Sequence, residues 1–243
     1  MTDLQASGQV RTARAARPPS PLARVRRRPD RARYDIQTVH ALLDAVPFCH
    51  VATVRDGRPV VLPMAHARLG DSVILHGSVA AGLFRDARRG SAVCLTATLL
   101  DGLVLARSAT NHSVNYRCVT VHGHAVEVTD AEEVMAGFRA LVERLIPGRW
   151  AQVRKPTPDE VGRTGLWRVA IEDASVKARS GSSVEPEEDL ALPVWAGVVP
   201  AWQAFGRPEP ADALSPSAPG TVVVNPGLGG HPPGHEGGGP SAG

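Results

Sequence analysis

Residues 111–128 read NHSVNYRCVTVHGHAVEV. The stretch opens on a polar cluster, Asn111, His112, Ser113, Asn115, Tyr116 and Arg117, then alternates as a strand from Tyr116 to Val128. Donors gathered at a strand mouth suit a bound anion or a planar polar ligand. The plainer reading is a polar turn leading into an edge strand. Either way the segment is a strand, and its neighbours decide what sheet it joins.

Upstream, Ile36 to Ala45 carries apolar residues at Ile36, Val39, Leu42 and Leu43, the spacing of a short helix. Phe48 to Val54 alternates as a strand, Asp56-Gly57 is a hairpin turn, and Arg58 to Ala67 returns. Pro63 cannot donate to a ladder, so the return strand needs an edge or a bulge there. Gly70-Asp71 turns into a strand from Ser72 to His76, and Val79 to Arg89 suits a helix closed by Gly90. Ser91 to Thr98 and Leu103 to Arg107 read as two further strands. Downstream, Asp130 caps a helix through Leu145, with Glu132 and Glu133 in its first turn. Gly165 to Val176 is the last strand. About six strands with only short helices predict a mainly β (α+β) fold, a closed or half-closed antiparallel barrel.

Composition sets the limits of the folded part. Residues 1–33 hold nine arginines against Asp3 and Asp30, a local balance of +7, so the remainder is −4 within an overall +3. With almost no apolar period, this arm is expected to be a solvated, disordered extension; contact with nucleic acid or another partner is the less favoured alternative. From residue 206 to 243 the chain is rich in Pro and Gly and is expected to be a disordered tail. His231 and His235 lie in it as weak metal candidates. That leaves 34–205 as one domain of ordinary size. No apolar run reaches membrane-span length, so no membrane partner is expected. Cys49, Cys94 and Cys118 are scattered within apolar strands and read as buried thiols of the cytoplasm.

The order RPVVLPMAH, LHGS, short helix, TATLLDGLVLARS, HSVNYRCV, GRW, SVKARSG and PVWAGVVP then carries more information than any one piece. It resembles the flavin-nucleotide-binding branch of the pyridoxamine-phosphate-oxidase-like split-barrel family, which includes the nitroimidazole-resistance reductases. The likeness runs from about Arg33 to Pro200. It implies a six-stranded split β-barrel that forms a homodimer, with FMN held in grooves between the subunits.

The resemblance assigns residues. Val61, Leu62, Pro63 and Met64 would run along the isoalloxazine through main-chain groups. His76, Gly77 and Ser78 close a strand just before a helix, where free N–H groups and the helix dipole favour a phosphate. Tyr116, Arg117 and Cys118 would reach the same groove, Thr96 and Thr98 would form its floor, and Lys177 would reach it from the last strand. Three departures stand out. The basic residue usual six or seven positions beyond the LHGS histidine is replaced by Gly82 and Leu83, with Arg85 as a substitute on the same helix face. Cys118 stands where a serine is usual, and Asn111 where a second histidine is.

His76 is the expected acid or hydrogen-bond donor on the substrate side of the flavin, with a structural role in the phosphate turn as its rival. The expected function is an FMN-dependent oxidoreductase, reductase or nitroreductase-like, acting on a small planar acceptor. True pyridoxamine-phosphate oxidation is not expected, because no basic cluster for a substrate phosphate can be assigned. A non-catalytic module for flavin, deazaflavin or haem is the alternative, with His112, His122 and His124 as haem ligands. His122 and His124 share a strand face and with Glu127 could imitate a metal site, but exposed strand residues are the preferred reading. Nothing resembles a Walker loop, a dinucleotide fingerprint or a nucleophile elbow.

Overall fold

Alternation within each strand decides which side enters the core, and the turns decide which strand lies next to it. The computed structural model describes residues 17–211 and 223–229. The strands are β1 (Ala32–Arg33), β2 (Phe48–Arg55), β3 (Arg58–Leu69), β4 (Ser72–Ser78), β5 (Ala92–Leu105), β6 (Ser113–Glu127), β7 (Thr164–Ala170), β8 (Asp173–Arg179) and β9 (Gly197–Pro200). Between them lie α1 (Ile36–Ala45), α2 (Gly82–Arg88), α3 (Ala131–Leu145), α4 (Arg149–Gln152) and α5 (Pro158–Arg163).

Asp56 (φ 50°) and Gly57 (φ 73°) both adopt the positive φ that a two-residue hairpin turn needs, and they set β2 against β3 from Arg55↔Arg58 to Phe48↔Ala65. The strand order is β1-β8-β6-β7-β4-β3-β2-β5-β9, and β5 also pairs with β6. That last pairing closes β6, β7, β4, β3, β2 and β5 into a ring of six strands. The expected antiparallel sheet is therefore present, as a ring with strands β8, β1 and β9 added outside it. Pro63 sits opposite His50 in the half of β3 that pairs only with β2, so its missing donor is tolerated.

Two boundaries differ from the sequence reading. Ser91–Thr98 and Leu103–Arg107 are one strand, β5, because Asp101-Gly102 forms a register shift between Leu100 and Gly102 instead of a turn. Gly165–Val176 is two strands, β7 and β8, folded where Ile171 N donates to Asp71 O at 2.9 Å. Part of the span expected to be a disordered arm also enters the sheet: Ala32 pairs with Lys177 and Arg33 with Val176. Within 206–243, residues 223–229 are described. Asn225 N donates to Leu145 O, its side chain to Arg144 O, and Gly229 N to Ala45 O. Residues 1–16, His231 and His235 lie outside the described residues.

The ring is filled by Val51, Leu75, Leu95, Val119, Val121, Trp167 and Val169, with α1 closing one side through Val39, Leu42 and Leu43. Phe84 of α2 stacks on Trp167 with centroids 4.7 Å apart, and the Arg88 guanidinium lies 5.1 Å from that ring. A second apolar layer, Ala67, Ile74, Val134, Leu141 and Leu166, seats α3 on the opposite side of β4 and β7. Among the described residues no helix is long and apolar enough to cross a membrane.

Candidate functional site

Directly opposed residues of antiparallel strands project to the same face, so register turns single residues into rows. One row crosses β3, β2, β5, β6 and β8 as Pro63, His50, Thr96, Thr120 and Ser175. The next runs Val61, Ala52, Cys94, His122 and Asp173, and another joins Thr98, Cys118 and Lys177. Val51, Leu95, Val119 and Val176 point the other way, into the core. The outer face is thus a polar stripe on a sheet with an apolar interior. The Thr96 hydroxyl donates to Val119 O at 3.0 Å and lies 3.1 Å from Cys118 Sγ. Lys177 makes no ion pair with Glu172 or Asp173. At one end of the stripe Val61 is 55% exposed, a large value for valine in a strand.

The residues singled out from the sequence fall into three places. Val61, Pro63, Thr96, Thr98, Cys118 and Lys177 share the outer face, and the alternation of β6 puts Tyr116 on the same side as Cys118. Leu62 and Met64 alternate to the other side of β3, where Met64 packs against the core and Leu62 is 40% exposed. Arg117 also faces away from the stripe; two of its nitrogens donate to Asp101 at 2.7 and 2.9 Å.

The third place is the turn between β4 and α2. His76, Gly77 and Ser78 pair with Leu166, Gly165 and Thr164 of β7. His76 shares its face with Ile74, under α3; it is half-buried, its Nδ1 has no partner among the described residues, and burial pushes its pKa down. The imidazole is therefore neutral at pH 7. Within the turn, Val79 N donates to Arg163 O, Ala80 N to Ser78 Oγ and Ala81 N to Ser78 O. These amides are consumed by the turn itself, and only the first N–H groups of α2 are left for an anion. Gly77 has a packing role, since a Cβ there would stand 2.6 Å from Phe84 Cε2. Gly82 has one too: the Arg55 guanidinium occupies the place its Cβ would take. Arg55 Nε donates to Asp86 at 2.8 Å, and Arg55, Arg85 and Arg89 line a cavity of about 400 Å³. The missing basic residue of α2 is thus matched by an arginine from the end of β2.

A larger cavity, about 690 Å³, opens on the outer face beside the stripe. Ala52, Val54, Pro59, Val93 and Ala170 give it apolar walls, and Cys94, His122 and His124 project into it. Asp173, directly opposite His122, has a buried Oδ1 with no partner among the described residues. A carboxylate beside a histidine is the arrangement that fixes one ring nitrogen and frees the other for a metal. His112 is held differently: its Nδ1 lies 3.0 Å from Ser108 O, so Nδ1 carries the proton and Nε2 is free. Glu127 is engaged by Arg88 at 2.6 and 2.8 Å. Among the described residues there is no group of three or more His, Cys, Asp or Glu side chains that could hold a metal ion.

His50, Arg55 and Asp173 were not singled out from the sequence. Alternation from Phe48 to Arg55 marks His50 as a polar residue on a strand face, a signal that could have found it. Arg55 and Asp173 gain their places only through tertiary contacts.

Comparison with known proteins bears on these sites. The family described as pyridoxamine 5'-phosphate oxidase matches residues 35–178. No match is found among curated proteins. Among solved structures, the flavocytochrome Anf3 from Azotobacter vinelandii is 40% identical, with 84% of this chain and 95% of that one covered at a TM-score of 0.79. The FAD and haem binding protein from Mycobacterium smegmatis is 33% identical over 81% of this chain and 95% of its own, with a TM-score of 0.72. A 5-nitroimidazole antibiotic resistance protein from Bacteroides thetaiotaomicron shares the fold at 20% identity, over 60% of this chain and 85% of that one, with a TM-score of 0.51.

Proposed function

Because the chain belongs to the pyridoxamine 5'-phosphate oxidase-like family, we propose that it is a redox protein holding a flavin on the polar stripe and a haem in the neighbouring apolar cavity. The observation that carries this reading is the outer face itself, with two adjoining sites of different chemistry. Thr98, Cys118 and Lys177 offer hydrogen-bonding groups and a positive charge in one row of the outer face, a donor set that fits a planar polar ring system. Four residues along β6, about 13 Å at strand rise, His122 faces a cavity large and apolar enough for a macrocycle. Two relatives above 30% identity, a flavocytochrome and an FAD and haem binding protein, support the pairing.

A bound flavin supplies hydride or electron transfer and a haem supplies one-electron transfer. The chain's own residues position them. His122 would hold the haem iron in this reading, with the Asp173 carboxylate directly opposite it on β8. Lys177 would place a cation at the flavin and Thr98 would offer a hydroxyl to its edge, the Thr96 hydroxyl being given to Val119 O. FAD is favoured over the FMN expected from sequence, because the relative at 33% identity is an FAD and haem binding protein. The expected homodimer finds support in a row of half-exposed apolar residues, Val199, Leu103 and Val114, across β9, β5 and β6. Three free thiols favour the cytoplasm.

The test is the absorption spectrum of the purified protein, followed by acid extraction and chromatography of the flavin. A flavin spectrum together with a haem Soret band is expected, and His122→Ala should abolish the Soret band while the flavin stays. His76→Ala, at the turn between β4 and α2 and apart from the stripe, should leave the flavin bound. A colourless protein that takes up neither added flavin nor haemin would refute the proposal.

A further inference from the structure

Five arginines, Arg28, Arg31, Arg33, Arg117 and Arg179, line one cavity of about 520 Å³ where the Pro29–Arg31 turn and β1 meet the ends of β6 and β8. Its single acidic lining residue is Asp30, which pairs with Arg28 at 3.1 Å. Arg117 is neutralised by Asp101. The other three have no carboxylate partner among the described residues. Arg33 donates to the carbonyls of Ala32 and Asp30. Arg179, only 8% exposed, donates to Asn115 Oδ1, Gly181 O and Ser182 O, all neutral acceptors. Burial first, then the charges of Arg31 and Arg28, push the Arg179 pKa down.

Such a cluster opposes folding unless something compensates it, because like charges brought together in a recess repel. The backbone also carries strain for it. Arg28 adopts φ 56°, ψ 61°, a left-handed conformation that disfavours a side chain, directly before the single 3-10 turn Pro29–Arg31. That turn is fixed from behind by Val25 N donating to the Tyr34 hydroxyl at 2.9 Å and by β1 pairing with β8. The segment is built to aim arginines at one point.

We propose that this cavity binds an organic diphosphate. Three unneutralised guanidinium groups match two or three negative charges, which one carboxylate does not supply, and their forked donors suit phosphate oxygens. The recess is larger than an inorganic anion needs, and its walls at Leu42, Val176 and Val184 suit an attached organic group. The diphosphate could belong to a free nucleotide or to FAD itself. The second source rests on the flavin reading; the first does not.

Calorimetric titration of the full-length protein with inorganic pyrophosphate tests this, in the flavin-loaded and flavin-stripped forms. Saturable one-to-one binding that weakens with salt is expected, with a loss of about tenfold or more in Arg31→Ala and in Arg179→Gln. Arg31→Ala, on the partly exposed turn, guards against misfolding of the buried variant. Binding to both forms identifies a separate nucleotide. Binding only to the stripped form, with Arg31→Ala losing FAD but retaining FMN, identifies the diphosphate of FAD. Absence of saturable pyrophosphate binding in both forms, or binding unchanged in both variants, overturns the proposal without touching the flavin reading, which the spectrum decides.

Discussion

Lowering the pH from 7 to 5 should destabilise this protein through a single histidine. His66 is 1% exposed, and its Nε2 donates to Leu43 O at 3.0 Å, the carbonyl that also accepts from Arg144 at 3.0 Å. Its Nδ1 is buried without a partner among the described residues. A second proton would therefore sit on an unsatisfied nitrogen close to the Arg144 charge. Burial chiefly, with Arg144 adding to it, pushes the pKa down from 6.5 to about 4. A depressed histidine pKa means that the unfolded chain takes up the proton first. The stabilisation is complete above the unfolded value of 6.5 and is lost as the pH falls from there through 4. Linkage puts the full loss at about 3 kcal/mol, of which about 2 kcal/mol is gone by pH 5. Urea unfolding at pH 7 and pH 5 measures it, with His66→Gln as the control, since glutamine keeps an N–H for Leu43 O and does not titrate. The wild type should lose about 2 kcal/mol more than the variant over that interval. Equal losses would show that His66 is not held neutral by its surroundings.

Two further substitutions probe the turn between β4 and α2. Gly77→Ala drives a methyl into Phe84, whose ring is pinned on Trp167, and should cost about 1–3 kcal/mol in urea unfolding; a Phe84→Leu background should recover part of it. Arg55→Ala strips the partner from Asp86, whose side chain is 10% exposed, and should cost about 2 kcal/mol; a neutral effect would mean that the pair is not formed in solution.

How far the sequence could be read depends on whether the deciding contact is local. The β2–β3 hairpin was legible, because alternation and Asp56-Gly57 are local signals. The α3 cap was equally plain: Asp130 accepts from Glu132 N and Glu133 N. The bend between β7 and β8 was not, since no Gly or Pro marks it and its hydrogen bond comes from the distant Asp71. Asp101-Gly102 misled in the other direction, a turn signal absorbed as a shift in register. In the site, alternation alone puts Thr96 with Thr98 and separates Arg117 from Cys118. Register, which only the fold supplies, brings Pro63, His50 and Lys177 onto the same face. Arg28, Arg31 and Arg33 read as a solvated arm, because nothing in their spacing announces a turn held by the Tyr34 hydroxyl.

Closing the ring leaves the nine-stranded sheet with few unpaired margins, and three of them are blunt. β1 is two residues long, β9 is four and ends at Pro200, and the half of β3 that pairs only with β2 contains Pro59 and Pro63. Prolines and very short edges give a foreign strand almost nothing to hydrogen-bond to. At these three margins another strand would gain little by extending the ladder. Packing side chain against side chain across the sheet faces is less obstructed there, and that mode leaves a crevice between two sheets wide enough for a flat molecule.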